Sequence, residues 1–305
     1  MVNLPFYIFP SRITRNDSLW AWVDTVLLPQ GRMCPIACPF PARTLSGLVT
    51  STLLPKKMNL MPPDTPPDTM HEAPDIETAS GDYAKRFAGP VGAWMLQVQE
   101  SIVLQLLADD AKASILDVGG GHGQLAIPLC ARGFSVTVHG SDLVCAERIQ
   151  AYLHKGGCRF LTGNILEMPV EDRAYDIVLC FRLLTHCAEW QDLTRELCRI
   201  AKHRIIIDYP TSQSVNSIAP ALFSAKKRLE GNTRTWRSFT HAEVKKVFAE
   251  NGFALNSLHK QFFLPMALHR TLRFAPLSRV LEGVCRGLGL TKAYGSPVIG
   301  EFIRT

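Results

Sequence analysis

The sequence predicts an α/β fold, a mostly parallel sheet covered by helices on both faces. Two observations carry this. Short apolar runs that end in a turn, an acid or both recur from Ser114 onward, and segments of helical period lie between them. One run, Ile115-Leu116-Asp117-Val118, enters a turn with four glycines, Gly119-Gly120-Gly121-His122-Gly123, and Gln124 to Cys130 then reads as a helix. A strand, a glycine loop and a helix in that order put backbone N–H groups at the carboxyl edge of a parallel sheet, where open α/β sheets bind nucleotides.

The elements follow in order. Ser114 to Val118 is the first strand. Phe134 to Gly140 alternates as a second strand and ends at Ser141-Asp142, with a helix from Leu143 to His154 after it. Phe160 to Leu166 is the third strand and Tyr175 to Phe181 the fourth. Trp190, Leu193, Leu197 and Ile200 recur at helical spacing, so Glu189 to Ala201 is a crossover helix. Arg204 to Pro210 is the fifth strand, apolar enough to be central. Thr240-His241-Ala242-Glu243 is a capping box, and Asn251-Gly252 stops the helix that it starts. Ala254 to Leu264 and Val298 to Arg304 read as the last two strands. Ahead of the sheet, Val91 to Ala108 is a helix with Trp94, Val98, Ile102 and Leu106 on one stripe. Near the end, Leu277 to Leu288 places Leu277, Val280, Leu281, Val284 and Leu288 on one face, which either packs on the sheet or closes an apolar pocket.

Glycine spacing separates the nucleotide classes. A dinucleotide site asks for G-x-G-x-x-G, but Gly119, Gly121 and Gly123 form G-x-G-x-G and the next position is Gln124. With Asp117 ahead of it, this loop resembles motif I of the class I S-adenosylmethionine-dependent methyltransferases. Asp142 lies 25 residues after Asp117, at the offset of a ribose-binding acid, and could equally cap the helix after it. The end of the third strand resembles the family's adenine contact, with Asn164 where the family often has Asp and Ile165 beside it. The fourth strand resembles the family's too.

The resemblance covers about residues 80 to 305 and implies a Rossmann-like, seven-stranded, mostly parallel sheet. Its last strand is antiparallel and forms a hairpin with the sixth. S-adenosylmethionine is the implied cofactor, held by Asp117, Gly119, Gly121, Gly123, Asp142, Leu143, Asn164, Ile165 and Phe181. In this reading a bulky side chain at Gly119 or Gly121 would stand in the cofactor's place. Tyr83 and Arg86, before the helix at Val91, fall where small-molecule members carry a lid; Arg86 would pair with the methionine carboxylate and Tyr83 would cover the sulfonium. A helix-leading loop with an aromatic plug is the plainer alternative. After the fourth strand, His186 matches the second of the family's loop histidines, and Thr185 replaces the first. His186 is the candidate base, or a cap of the next helix, and Arg182 a candidate anchor for an anionic acceptor.

Composition bounds the rest. With 305 residues, 47% of them hydrophobic, one large domain can bury a full core. No apolar run is long enough to span a bilayer. The nine cysteines form no paired metal spacing, and Cys34-Pro-Ile-Ala-Cys38 lacks a second pair, so reduced thiols in a cytoplasmic protein without a metal are expected. The net charge of +6 is concentrated in the last third, from Lys226 to Arg286. Solvated helix faces explain such an excess. Without basic residues interleaved with aromatics, nucleic acid is set aside, while a peripheral membrane contact stays open.

Residues 1 to 75 are expected to be a non-structural or misassigned extension. Prolines interrupt every apolar run there, and Pro62 to Pro67 is a stiff linker; translation could begin at Met58, Met61 or Met70. Residues 76 to 305 form one domain: a lid and helix over 76–110, a cofactor core over 111–210 and a substrate side over 211–305. The expected activity is methyl transfer to a small or lipid-like acceptor. The rivals are a non-catalytic cofactor-binding scaffold and a nicotinamide-dependent dehydrogenase or epimerase. No Tyr-x-x-x-Lys pair follows the fourth strand to favour the latter.

Overall fold

The computed structural model describes residues 72–154, 157–215 and 236–305, together with the backbone of two three-residue strands, Thr25–Leu27 and Met33–Pro35, which pair antiparallel. The linker at Pro62 to Pro67, the candidate starts, Cys38 and the basic residues 226–234 lie outside the described residues. The chain divides into two units between Pro63 and Asp64.

The second unit is built on a seven-stranded sheet. Its strands are β1 (Ser114–Val118), β2 (Ser135–Gly140), β3 (Cys158–Thr162), β4 (Tyr175–Cys180), β5 (Ala201–Tyr209), β6 (Phe253–Lys260) and β7 (Val298–Arg304). The spatial order is β3-β2-β1-β4-β5-β7-β6, with β7 antiparallel to both of its neighbours and the other pairs parallel. The order reverses between β1 and β4. Register aligns the carboxyl ends there: Val118 lies opposite both His139 and Cys180, and Cys180 opposite Ile207. Gly119, Phe181 and Asp208, the next residue in each case, therefore share one edge.

The alternation of each strand decides what covers it. Ile115, Val136, Val138, Ile177, Leu179 and Ile206 face a layer that includes Val103 and Leu107 of α3 (Gly89–Leu106 and its cap) and Leu125 and Leu129 of α4 (Ala126–Ala131) and its entry. Leu116, Val118, Val178, Cys180, Ile205 and Ile207 face α6 (Trp190–Ile200) and α7 (His241–Glu250). By the same alternation Asp117 and Asp208 fall on the α3/α4 side. The segment before α3 forms two short helices, α1 (Pro74–Ala79) and α2 (Gly81–Lys85). The predicted helix over 143–154 is a 3₁₀ turn, Leu143–Ile149, followed by α5 (Gln150–His154). The capping box at Thr240 and Glu243 forms as expected.

Three expectations are corrected. Of the stripe predicted for α3, Trp94 is buried while Val98, Ile102 and Leu106 are half-buried, and the most deeply buried line is Met95, Gln99, Val103 and Leu107, one position on. The helix meets two surfaces, the sheet through Gln99 and Val103 and a satellite core through Val91 and Trp94, and a single-face reading averages them. In α9 (Ala275–Gly287) the predicted inward face is turned outward. Leu277, Val280 and Val284 are exposed, and Ala275, Ser278 and Glu282 are buried. The Glu282 carboxylate accepts from the Phe263 and Leu264 backbone N–H at 2.9 and 2.8 Å and lies 3.0 Å from His269 Nε2 of α8 (Met266–Leu272). A carboxylate with three partners can be buried where an unpartnered one cannot. Finally, Cys130 and Cys158 are joined in a disulfide between α4 and β3, with Cα atoms 6.1 Å apart. They lie 28 residues apart in sequence, and only the packing of α4 on the sheet brings them together.

The N-terminal segment is anchored from Glu72 onward. A chain beginning at Met70 keeps these anchors and is expected to match the full chain in melting temperature; a large loss would place part of the fold's stability in residues 1–69.

Candidate functional site

The site is a C-terminal edge built from three elements. The first is the glycine loop. Gly119 and Gly123 adopt φ of 72° and 73°, the left-handed region, and flank a single 3₁₀ turn, Gly120–His122. Gly119 N–H donates to the His139 carbonyl at 2.8 Å, which ties the loop to β2. Only glycine takes both conformations without strain. The middle glycines answer to crowding instead. A Cβ on Gly120 would lie 2.2 Å from Asp117 Oδ2, and one on Gly121 would lie 2.3 Å from the Cys145 carbonyl oxygen. A demand from the protein itself thus stands beside the expected one: a side chain at Gly119 would crowd Leu183, and one at Gly121 would crowd Cys145. Gly121→Val is therefore expected to unfold or misplace the loop before any ligand is involved, and a thermal melt without ligand should show a drop of several degrees or more. An unchanged melt would return the glycine's role to ligand binding alone.

Beneath the loop lies Asp117, wholly buried, with both carboxylate oxygens lacking a hydrogen-bond partner. Burial pushes its pKa up to about 7. Beside it, His122 accepts from Gln124 N–H through Nδ1 at 3.1 Å, and burial holds its pKa down at about 3. An orphaned carboxyl group under a cradle of glycines is an unfinished polar site, one that a ligand with N–H donors or positive charge would complete.

The second element is the end of β2. Asp142 is exposed; its Oδ1 accepts from Val144 N–H at 2.8 Å and caps the turn after it. The neighbouring Leu143 is 72% exposed, an apolar side chain left in water beside an acid. Asn164, past β3, accepts from Leu166 N–H through Oδ1 at 3.0 Å. Ile165 and Phe181 do not join this surface: both are core residues, at 0% and 1% exposure. Ile165 lies in the turn after β3 and Phe181 directly follows β4, and both are packed into the core, which leaves Leu143, with Val144 beside it, as the exposed apolar surface of this edge.

The third element joins the lid to β4 and β5. Arg182 takes a left-handed φ of 59°, and its backbone N–H donates to Asp208 Oδ1 at 2.5 Å. Gln99 of α3 donates to Asp208 Oδ2 at 2.8 Å, and the Gln99 side-chain oxygen accepts from Arg182 Nη2 at 3.3 Å and from the Gln124 side chain. The Arg182 guanidinium stacks on Phe87, 3.8 Å from the ring centroid, and shares a hydrogen bond with Tyr83. Burial pushes the Asp208 carboxyl up and the Tyr83 hydroxyl up, while the Arg182 backbone and charge pull Asp208 back. Tyr83 is thus buried against Arg182. Arg86 is exposed, 5.3 Å from the Tyr83 ring. His186 ends the one-turn helix Leu184–His186 on the same edge and is half-buried. Farther along, the Tyr209 hydroxyl lies 3.0 Å from His241 Nδ1.

Four residues of this edge escape a reading by motif. Gln99 is hidden in a helical stripe, and His241 inside a capping box. Glu72 accepts from Ala188 and Glu189 N–H at 2.8 and 2.9 Å. Asp75, 1% exposed, accepts from Ser141 N–H at 2.7 Å and Ser141 Oγ at 2.5 Å. The last two pin the N-terminal segment onto the loops after β4 and β2. Pro74-Asp75-Ile76-Glu77, a proline followed by acids, is the helix-start signal that could have found α1.

Residues 116–206 match the family described as Methyltransferase domain. These residues carry a methyltransferase domain. Over 96 residues it is 34% identical to the ubiquinone biosynthesis O-methyltransferase of Rickettsia prowazekii, covering 31% of this chain and 38% of that protein. It therefore spans well under two thirds of that relative's length. The malonyl-[acyl-carrier protein] O-methyltransferase of Salmonella typhimurium is 24% identical over 180 residues, covering 54% of this chain and 71% of that protein. Among solved structures, magnesium protoporphyrin IX methyltransferase of Synechocystis PCC 6803 with bound SAH superposes with a TM-score of 0.53 at 18% identity, over 75% of this chain and 97% of that one. A SAM-dependent methyltransferase of Thermotoga maritima gives 0.51 at 15% identity, over 76% and 99%. These likenesses extend the methyltransferase fold beyond residues 116–206 to most of the second unit. Among the described residues no cluster could hold a metal ion, and no helix is long and apolar enough to cross a membrane.

Proposed function

We propose that the domain transfers a methyl group from S-adenosylmethionine to a small or lipid-like acceptor. The observation that carries this is Asp117, buried and unpartnered beneath a glycine loop that both left-handed glycines hold open. S-adenosylmethionine, when bound, supplies a methyl group already activated on a sulfonium. The chain's part is to hold, align and exclude water. Asp142 accepts from ribose hydroxyls, Leu143 covers an adenine face, and Asn164 meets the adenine edge. Asp117 and the loop amides take the amino-acid end. Tyr83, buried beside Arg182, covers that end, and Arg182 rather than the exposed Arg86 is the cation best placed for a carboxylate there or on the acceptor.

Both named relatives are O-methyltransferases, which supports an oxygen acceptor and gives His186 a proton to take. Buried thiols at Cys145, Cys180, Cys187 and Cys198 suit a cytoplasmic setting, with the Cys130–Cys158 pair the exception. Calorimetry tests the reading. Asp142→Ala is expected to weaken S-adenosylmethionine binding by about 1.5–3 kcal/mol, the range for bonds to a charged group. Affinity for NADH with none for S-adenosylmethionine would transfer the case to a nicotinamide enzyme. Binding without turnover on any acceptor in a host extract would favour a scaffold.

A further inference from the structure

We propose that α9 is a membrane-docking helix that seats the domain on an anionic lipid surface. Its outward stripe is Phe274, Leu277, Val280, Val284 and Leu288, exposed at 58%, 41%, 63%, 56% and 70%. The spacing is helical, so these side chains form one continuous apolar ridge, while Ala275, Ser278 and Glu282 hold the opposite face against the protein. The polar contacts of Glu282 fix this orientation: turning the ridge inward would break the bonds to Phe263, Leu264 and His269. Isolated exposed apolar residues need no explanation, but a ridge of five on one helix marks a surface that is covered by something.

Charge selects the cover. Between residues 261 and 300 the chain has five cations, Arg270, Arg273, Arg279, Arg286 and Lys292, and one carboxylate, Glu282. That carboxylate is buried. A water-facing segment with an apolar ridge, basic residues and no exposed acid is the make-up of an interfacial helix, which sinks its ridge into the headgroup boundary and attracts anionic lipid. A second copy of the chain fits less well. One ridge on a 13-residue helix, about 20 Å long, falls short of the ~800 Å² per partner of a standard interface. A two-fold axis would also bring the basic segments of the two copies together.

Docking of this kind does not depend on methyl transfer, so the test uses lipid alone. The full chain is floated with vesicles of phosphatidylcholine and with vesicles that also contain phosphatidylglycerol. The expected result is co-flotation with the phosphatidylglycerol vesicles, weakened by salt. The Val280→Asp, Val284→Asp double variant, altered only at exposed positions, should keep its melting temperature and lose binding on the order of tenfold or more. Arg273→Glu with Lys292→Glu should lose the preference for phosphatidylglycerol. The proposal is overturned if the full chain stays with the soluble fraction in both cases, or if the folded double variant floats as well as the parent. It is also overturned if the parent is a dimer in solution that the double variant splits while neither binds vesicles.

Discussion

Asp117→Asn is expected to change how the ligand-free protein's stability depends on pH, by up to about 4 kcal/mol. The sign follows from linkage. The Asp117 carboxyl titrates near 7 in the folded protein and near 3.8 when exposed. Across that window the folded state keeps a proton that the unfolded chain has lost, so stability falls as pH rises and levels off above 7. The gap between the two values sets the size. Two buried imidazoles act the other way. His122, held near 3, and His139, held near 4, stay neutral in the fold while the unfolded chain binds protons below about 6.5, so they make stability rise with pH over an overlapping range. The parent's curve alone therefore separates nothing. The difference between parent and Asp117→Asn does, because both histidines cancel from it. Chemical denaturation at pH 4 to 8 should show the variant gaining on the parent up to pH 7 and running parallel beyond. A difference that is flat with pH would mean that the carboxylate is ionised throughout and paired, and would remove the orphaned acid from the functional argument.

The parts of this molecule legible in its sequence are those where one residue type answers to one physical demand. The glycine loop is legible because φ above zero at both Gly119 and Gly123 strongly favours glycine, and the close-packed positions between them leave no room for a side chain. The strands are legible because parallel strands buried on both faces must be apolar throughout. Thr240 and Glu243 are legible because a capping box satisfies two backbone donors in a fixed spacing.

The illegible parts are polar residues that the fold buries. Gln99 and Glu282 each sit on a helix where periodicity assigns polar side chains to water, and each is inside because the partner it satisfies is distant in sequence: Asp208 for Gln99, and the backbone before α8 for Glu282. One such inversion rotates the reading of a whole helix. It shifts the stripe of α3 by a residue and turns the ridge of α9 from core to surface. Asp75 and Glu72 are hidden differently. They follow a proline-rich stretch whose composition masks two carboxylates that clamp the loops after β2 and β4.

His186→Ala separates catalysis from mere cofactor binding. His186 stands on a turn fixed on both sides: its N–H donates to the Leu183 carbonyl at 2.9 Å, and its neighbour Thr185 exchanges bonds with Arg237, through Thr185 Oγ1 to the Arg237 carbonyl at 2.7 Å and Arg237 N–H to the Thr185 carbonyl at 3.1 Å. Arg237 in turn stacks over Trp190 and Phe239. The backbone that carries the imidazole thus stays in place when the side chain is removed, and the variant is expected to fold. If the imidazole takes the acceptor's proton, turnover should fall by roughly 10²–10⁴ with S-adenosylmethionine affinity unchanged. The parent's rate should also decline as acid protonates the ring, since only the neutral form accepts a proton, and the variant's residual rate should lack that limb. A stable variant with full activity would exclude His186 as the base. Alignment of acceptor and methyl group would then be the whole of the chain's contribution, and the Arg182–Asp208–Gln99 cluster, which fixes the loop after β4 against the lid, would be where that alignment is set.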